Sequence, residues 1–169
     1  YSTLITGYVK QGNMGGALRL LCEMTKRRCQ PNVVTYSSLI NGYCKLGDTD
    51  TAEDIFASMQ LEGLFPNVIT YTILIGSLFK KDKAMKAAAY FEHMLINHCA
   101  PSDITLHCLV TGLTNCMACI VSSNCSGTVK MHDKGALLDI FRGLVNGKWD
   151  PRNAAYNAII FGLCRHNML

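Results

Sequence analysis

Three stretches, Tyr1-Ser2-Thr3-Leu4-Ile5, Tyr36-Ser37-Ser38-Leu39-Ile40 and Tyr71-Thr72-Ile73-Leu74-Ile75, follow one another at a constant interval of 35 residues. Self-similarity at such a period belongs to solenoids, in which one unit cannot bury its apolar face alone and stacks on its neighbours. Each register closes on a proline and a small polar residue, at Pro31-Asn32, Pro66-Asn67 and Pro101-Ser102; Pro151-Arg152 follows after a longer interval. Between prolines the apolar residues take helical spacing in two groups, Leu4, Ile5 and Tyr8, then Ala17, Leu18, Leu20, Leu21 and Met24. The expected fold is therefore all-α, an α-solenoid of stacked 35-residue helix-turn-helix repeats.

The turn inside each unit runs Lys10-Gln11-Gly12-Asn13, Lys45-Leu46-Gly47-Asp48 and Lys80-Lys81-Asp82-Lys83, with glycine or a short polar residue where the first helix should stop. Small residues recur late in the first helix, at Gly7, Gly42, Ser77, Gly112 and Gly162, and early in the second, at Ala17, Ala52 and Ala87. A glycine inside a helix costs about 1 kcal/mol relative to alanine. Its recurrence predicts close approach of neighbouring helices. Second helices carry a bulky stripe, Leu20-Leu21-Met24, Ile55-Phe56-Met59, Tyr90-Phe91-Met94 and Ile140-Phe141-Leu144, at the spacing of a buried face.

The run Asn32-Val33-Val34-Thr35-Tyr36-Ser37-Ser38-Leu39-Ile40-Asn41-Gly42-Tyr43-Cys44-Lys45, with the Phe-x-x-Met stripe and the terminal Pro-Asn, resembles the pentatricopeptide repeat family. Constant repeat length resembles its P-type subclass, and the resemblance implies a right-handed superhelix. On this pattern the units are a partial repeat 1–32, complete repeats 33–67 and 68–102, a fourth at 103–152 with an inserted loop over about 114–132, and the start of a fifth at 153–169. The chain begins and ends inside repeats and so reads as a piece of a longer protein, with solenoid ends open to self-association.

Of the 169 residues 49% are hydrophobic, yet no run is long enough to span a bilayer, and the net charge of +4 is too mild to establish a polyanionic partner. Nine cysteines, an odd count that includes core-like positions such as Cys22, Cys44 and Cys164, do not form a disulfide framework and suit a reducing interior.

Lys10, Lys45 and Lys80 share a register, with Arg165 in the fifth repeat and Asn115 breaking the series in the fourth. They would either meet successive phosphates or complement helix dipoles. In the family, one base per repeat is read by the residue after the repeated tyrosine together with the last residue of the repeat. The resemblance implies the pairs Ser2 with Asn32, Ser37 with Asn67, Thr72 with Ser102, and His107 with Arg152. Serine with asparagine implies adenine in the first two. Thr72 with Ser102 lacks a carboxamide, and His107 with Arg152 matches no interpretable pair. Asparagine after proline also suits a turn or N-cap. Val34 and Ile69 hold the register that packs on base faces, against an ordinary packing role; Ala154 offers less surface there.

The insertion, from Thr114 to His132, reads as a disordered loop by its Ser, Asn and Gly content. Cys116, Cys119, Cys125 and His132 are of zinc-ligand type, but their spacing fits no metal motif. His93, His98, His107, His132 and His166 are scattered, and no phosphate loop, hydrolase elbow or zinc-protease helix occurs, so neither catalysis nor a cofactor is expected. The resemblance implies a single-stranded RNA-binding module of a mitochondrial or chloroplast factor in RNA processing, stability or translation. The alternative is a protein- or peptide-binding scaffold of tetratricopeptide type, whose groove would favour aromatic or carboxylate-clamping residues.

Overall fold

The computed structural model describes residues 1–121, with side chains as far as Asn115. Seven helices occupy them: α1 (Ser2–Lys10), α2 (Met14–Lys26), α3 (Val33–Leu46), α4 (Thr49–Leu61), α5 (Val68–Lys80), α6 (Ala84–Ile96) and α7 (Asp103–Val121). Among the described residues there is no strand. The chain divides into two compact units, Tyr1–Ser77 and Leu78–Leu169.

The same chemistry recurs at the helix ends. In the first unit α1 closes with the Asn13 N–H donating to the Tyr8 carbonyl at 2.9 Å, and α3 with Asp48 donating to Tyr43 at 3.0 Å. In the second unit Lys83 donates to Leu78 at 2.9 Å. Each closure passes through a left-handed residue: Gly12 at φ 74°, Gly47 at 79° and Asp82 at 56°. A second set, Arg28, Gly63 and His98, ends α2, α4 and α6 in the same way. The following helix starts on a cap where the sequence supplies one, since Asn13 Oδ1 accepts from the Gly16 N–H at 2.8 Å and Asp48 Oδ1 from Thr51 at 3.1 Å. Lys83 has no such side-chain bond.

In the first unit α1 packs on α2 and α3, and α3 on α4. Ile5, Val9, Met14, Ala17, Met24 and Leu39 form one buried cluster. Tyr71 stands edge-on to Phe56, ring centroids 5.5 Å apart. Within the second unit α6 packs on α7, and Ala87, Phe91, Met94, Leu109 and Leu113 are buried. The small-residue register is explained by what it faces. A side chain at Gly42 would meet Val9 and Met14, and one at Gly112 would meet the Phe79 ring. Counted from the repeated tyrosine as residue one, residue nine of one repeat thus lies against residue seven of the next. Cys44 and Ser77 repeat this in the first unit, where the Ser77 hydroxyl stands beside the thiol without completing hydrogen-bond geometry.

Three expectations change. Gly7 has nothing within 4 Å of where its side chain would stand, because no preceding helix pair covers α1 among the described residues. Leu4 accordingly stays 59% exposed, whereas Leu39, Leu74 and Leu109 are fully buried. Cys22 is exposed, not core: it lies about 200° around α2 from buried Met24. Helix α7 also continues to Val121 instead of yielding to a loop at Thr114. Thr114 is buried and its hydroxyl donates to the Thr111 carbonyl at 3.1 Å, so the helix absorbs a residue of low intrinsic propensity. The rest of the insertion, including Cys125 and His132, and the fifth repeat with Ala154, Cys164 and Arg165 lie outside the described residues.

Candidate nucleic-acid interface

Side chains at i, i+3, i+7 and i+11 share one stripe of a helix. On α3 that stripe is Val34, Ser37, Asn41 and Lys45, and the same register on α1 is Ser2, Thr6 and Lys10. Val34 and Ile69 are 58% and 59% exposed, so neither is consumed by packing. Ile104 stands in the same register and is 68% exposed. It is a candidate that the sequence motif does not single out, although the period alone places it. Lys10, Lys45 and Lys80 are exposed in the last turns of α1, α3 and α5. In the second unit Lys80 is close enough to lower the Cys108 thiol pKa, while burial, the larger effect, raises it.

The proposed reading residues are tied together in the first unit by threonines. Asn32 is the N-cap of α3: its Oδ1 accepts from the Thr35 N–H at 3.0 Å and the Thr35 hydroxyl at 3.1 Å. The Ser2 hydroxyl lies 2.8 Å from Thr35 Oγ1 and 3.5 Å from Asn32 Oδ1. One repeat later Asn67 Oδ1 accepts from the Thr70 N–H and hydroxyl, both at 3.0 Å, and the Ser37 hydroxyl lies 2.7 Å from Thr70 Oγ1. A backbone N–H only donates, so the atom facing it must be the carboxamide oxygen. Both asparagines therefore turn their NH2 groups away from the cap. Asn32 and Asn67 are exposed, Ser2 is half-buried and Ser37 is 9% exposed. The asparagines present more open surface than their serines.

Of the third pair, Thr72 belongs to the first unit and Ser102 to the second. In the first unit the Thr72 hydroxyl donates to the Val68 carbonyl of its own helix at 2.7 Å. In the second, Ser102 begins α7, its Oγ accepting from the Thr105 N–H at 3.2 Å and lying 2.9 Å from Thr105 Oγ1. His107 is exposed, and Arg152 lies outside the described residues. Cys116 and Cys119 fall on the backbone of α7; among the described residues no group of three or more His, Cys, Asp or Glu could hold a metal ion. No described helix is long and apolar enough to cross a membrane.

A repeated helix pair with a polar stripe on the first helix defines a class of helical-repeat protein, and comparison of sequences places the chain within it. It belongs to the PPR repeat family, whose profile matches residues 1–45, 31–80 and 66–115. The pentatricopeptide repeat protein PPR10 from maize superposes with TM-score 0.73 at 20% identity, over 98% of this chain and 22% of that one. PPR10 in complex with an 18-nt psaJ RNA element gives 0.65 at 21% identity, over 97% and 22%. The PPR domain of Arabidopsis thaliana protein-only RNase P 1 in complex with tRNA gives 0.57 at 17% identity, over 89% and 70%. At these identities the likeness establishes the fold, an all-α helical-repeat solenoid. The chain spans 22% of the length of PPR10. Comparison with curated proteins gives no match.

Proposed function

We propose that this chain is a sequence-selective single-stranded RNA-binding module that takes about one base per repeat. The observation that carries the reading is the doubled arrangement in which a capped asparagine turns its NH2 outward beside a serine hydroxyl and an exposed Val34 or Ile69. An NH2 donor suits a base whose ring nitrogen accepts, and a small serine leaves room for a purine. Adenine meets both conditions, so the first two repeats favour two consecutive adenines. Guanine presents N1–H to the same donor and is disfavoured. Family membership supports the reading, and PPR10 and protein-only RNase P 1, which share the fold, are each seen with RNA.

Lys10, Lys45 and Lys80 supply phosphate contacts in this account, each adding a salt-dependent increment. Thr72 and Ser102 hold a base with little discrimination. The module acts by occupying a transcript, in an organellar protein that alters RNA processing, stability or translation. Titration of fluorescent single-stranded and duplex RNA at low and high salt tests this. Preference for the single strand, weakening with salt, is expected. Failure to bind RNA together with capture of acidic or aromatic peptides would instead favour the peptide-scaffold function.

A further inference from the structure

The two reading pairs are joined by a residue that belongs to neither. Thr35 and Thr70 are fully buried, yet each hydroxyl sits between the serine of one repeat and the asparagine that closes it. The proton count fixes the direction of these bonds. Asn Oδ1 only accepts, so the threonine hydroxyl donates to it. Having one proton, the threonine oxygen meets serine as an acceptor, and the serine hydroxyl donates to it. Serine is left with lone pairs, and asparagine with its NH2.

We infer that Thr35 and Thr70 are specificity-determining positioning residues, which set the serine as an acceptor and the asparagine as a donor. This rests on the base-reading function proposed for Ser2, Asn32, Ser37 and Asn67. The acceptor-donor pair matches a base edge that has an amino group beside an unprotonated ring nitrogen, as adenine and cytosine have. It opposes the carbonyl-and-N–H edges of guanine and uracil. Without the threonine hydroxyl, the Ser37 proton loses its acceptor and Ser2 keeps only the 3.5 Å approach to Asn32 Oδ1, so the serine protons can turn to a base carbonyl, while the cap survives through the backbone N–H. Affinity for RNA as a whole should then persist while discrimination falls.

The test compares the complete chain with Thr35→Val, Thr70→Val and with Thr35→Ser, Thr70→Ser, titrated with RNA bearing two adjacent adenines or two guanines between uridine tracts. Wild type should prefer adenines by about 100-fold over two repeats, at roughly tenfold each. The valine variant should fall to about tenfold or less with phosphate-driven binding retained, and the serine variant, which keeps the hydroxyl, should stay near wild type. A valine variant that keeps the full ratio overturns the role of the threonines and leaves base reading intact. No preference in wild type overturns both. A second measurement requires no variant and no RNA, namely 15N relaxation of the Asn32 and Asn67 side-chain amides. Order parameters near the rigid backbone value of about 0.85 are expected, and values below about 0.6 overturn the lock.

Discussion

The ring of Phe79 on α5 fills the space that a side chain at Gly112 on α7 would need. An aromatic ring cannot bend aside, so Gly112→Ala should cost about 1–3 kcal/mol through overpacking. At Gly42 the neighbours are the flexible end of Met14 and one methyl of Val9. Alanine there also gains about 1 kcal/mol of helix propensity, so Gly42→Ala should change stability by less than about 1 kcal/mol. Urea unfolding of the two variants checks the order; equal losses would mean that the contact with Phe79 is not what requires glycine.

The left-handed positions predict opposite signs for one exchange. Gly63 ends α4 at φ 74°, where alanine should cost about 1 kcal/mol. His98 holds the equivalent place on α6 at φ 53°, so His98→Gly should stabilise by about 0.5–1 kcal/mol. Thermal melts of both variants decide it, and destabilisation by His98→Gly would show that its side chain compensates for the strain.

Tyr36 gives a pH signature. Burial first, then the hydrogen bond to Glu62, and then the negative charge of that carboxylate raise its pKa from 10.0 to about 12. The folded pKa lies above the unfolded value, so the contribution to stability is complete below about pH 10 and is lost as pH rises toward 12. Tyrosinate absorbance should show Tyr36 ionising well after the exposed rings, and Tyr36→Phe should take one ring out of the late step. A late step of unchanged amplitude in Tyr36→Phe would show that Tyr36 does not contribute to it.

The lysine register is open to two explanations that salt dependence separates. If Lys10, Lys45 and Lys80 each neutralise one phosphate of a single strand, replacing any of them by alanine should reduce the slope of log affinity against log salt by about 0.7. A helix-dipole role would leave that slope alone and lower stability by about 0.3–1 kcal/mol.

How far the sequence reveals this molecule varies from residue to residue. The period, the helix pairs, the capping by Asp48 and the buried Phe56, Phe91 and Met94 follow from spacing and turn chemistry that are local. Ser2 and Thr35 are 33 residues apart. Their bond depends on how α1 lies along α3, which no local pattern expresses. Asn32 suits either a helix cap or a base reader by its sequence. The structure shows the cap, and because the cap uses only the oxygen, the NH2 remains for a base. Ile104 is legible from the period but adjoins His107, where the polar pattern breaks. Gly7 shares its register with Gly42, yet its surroundings depend on a neighbour rather than on its own sequence.

If Asn32 and Asn67 choose the base, a change of one atom in each tests it most directly. Asn32→Asp with Asn67→Asp keeps an oxygen for the Thr35 and Thr70 N–H groups, so both helix caps remain while the outward donor becomes an acceptor. Fluorescence titration of both chains with adenine-centred and guanine-centred single-stranded RNA is the measurement. Wild type should prefer adenines, and the variant should turn toward guanines. An adenine preference unchanged by the double substitution would contradict the assignment of these two residues as base readers.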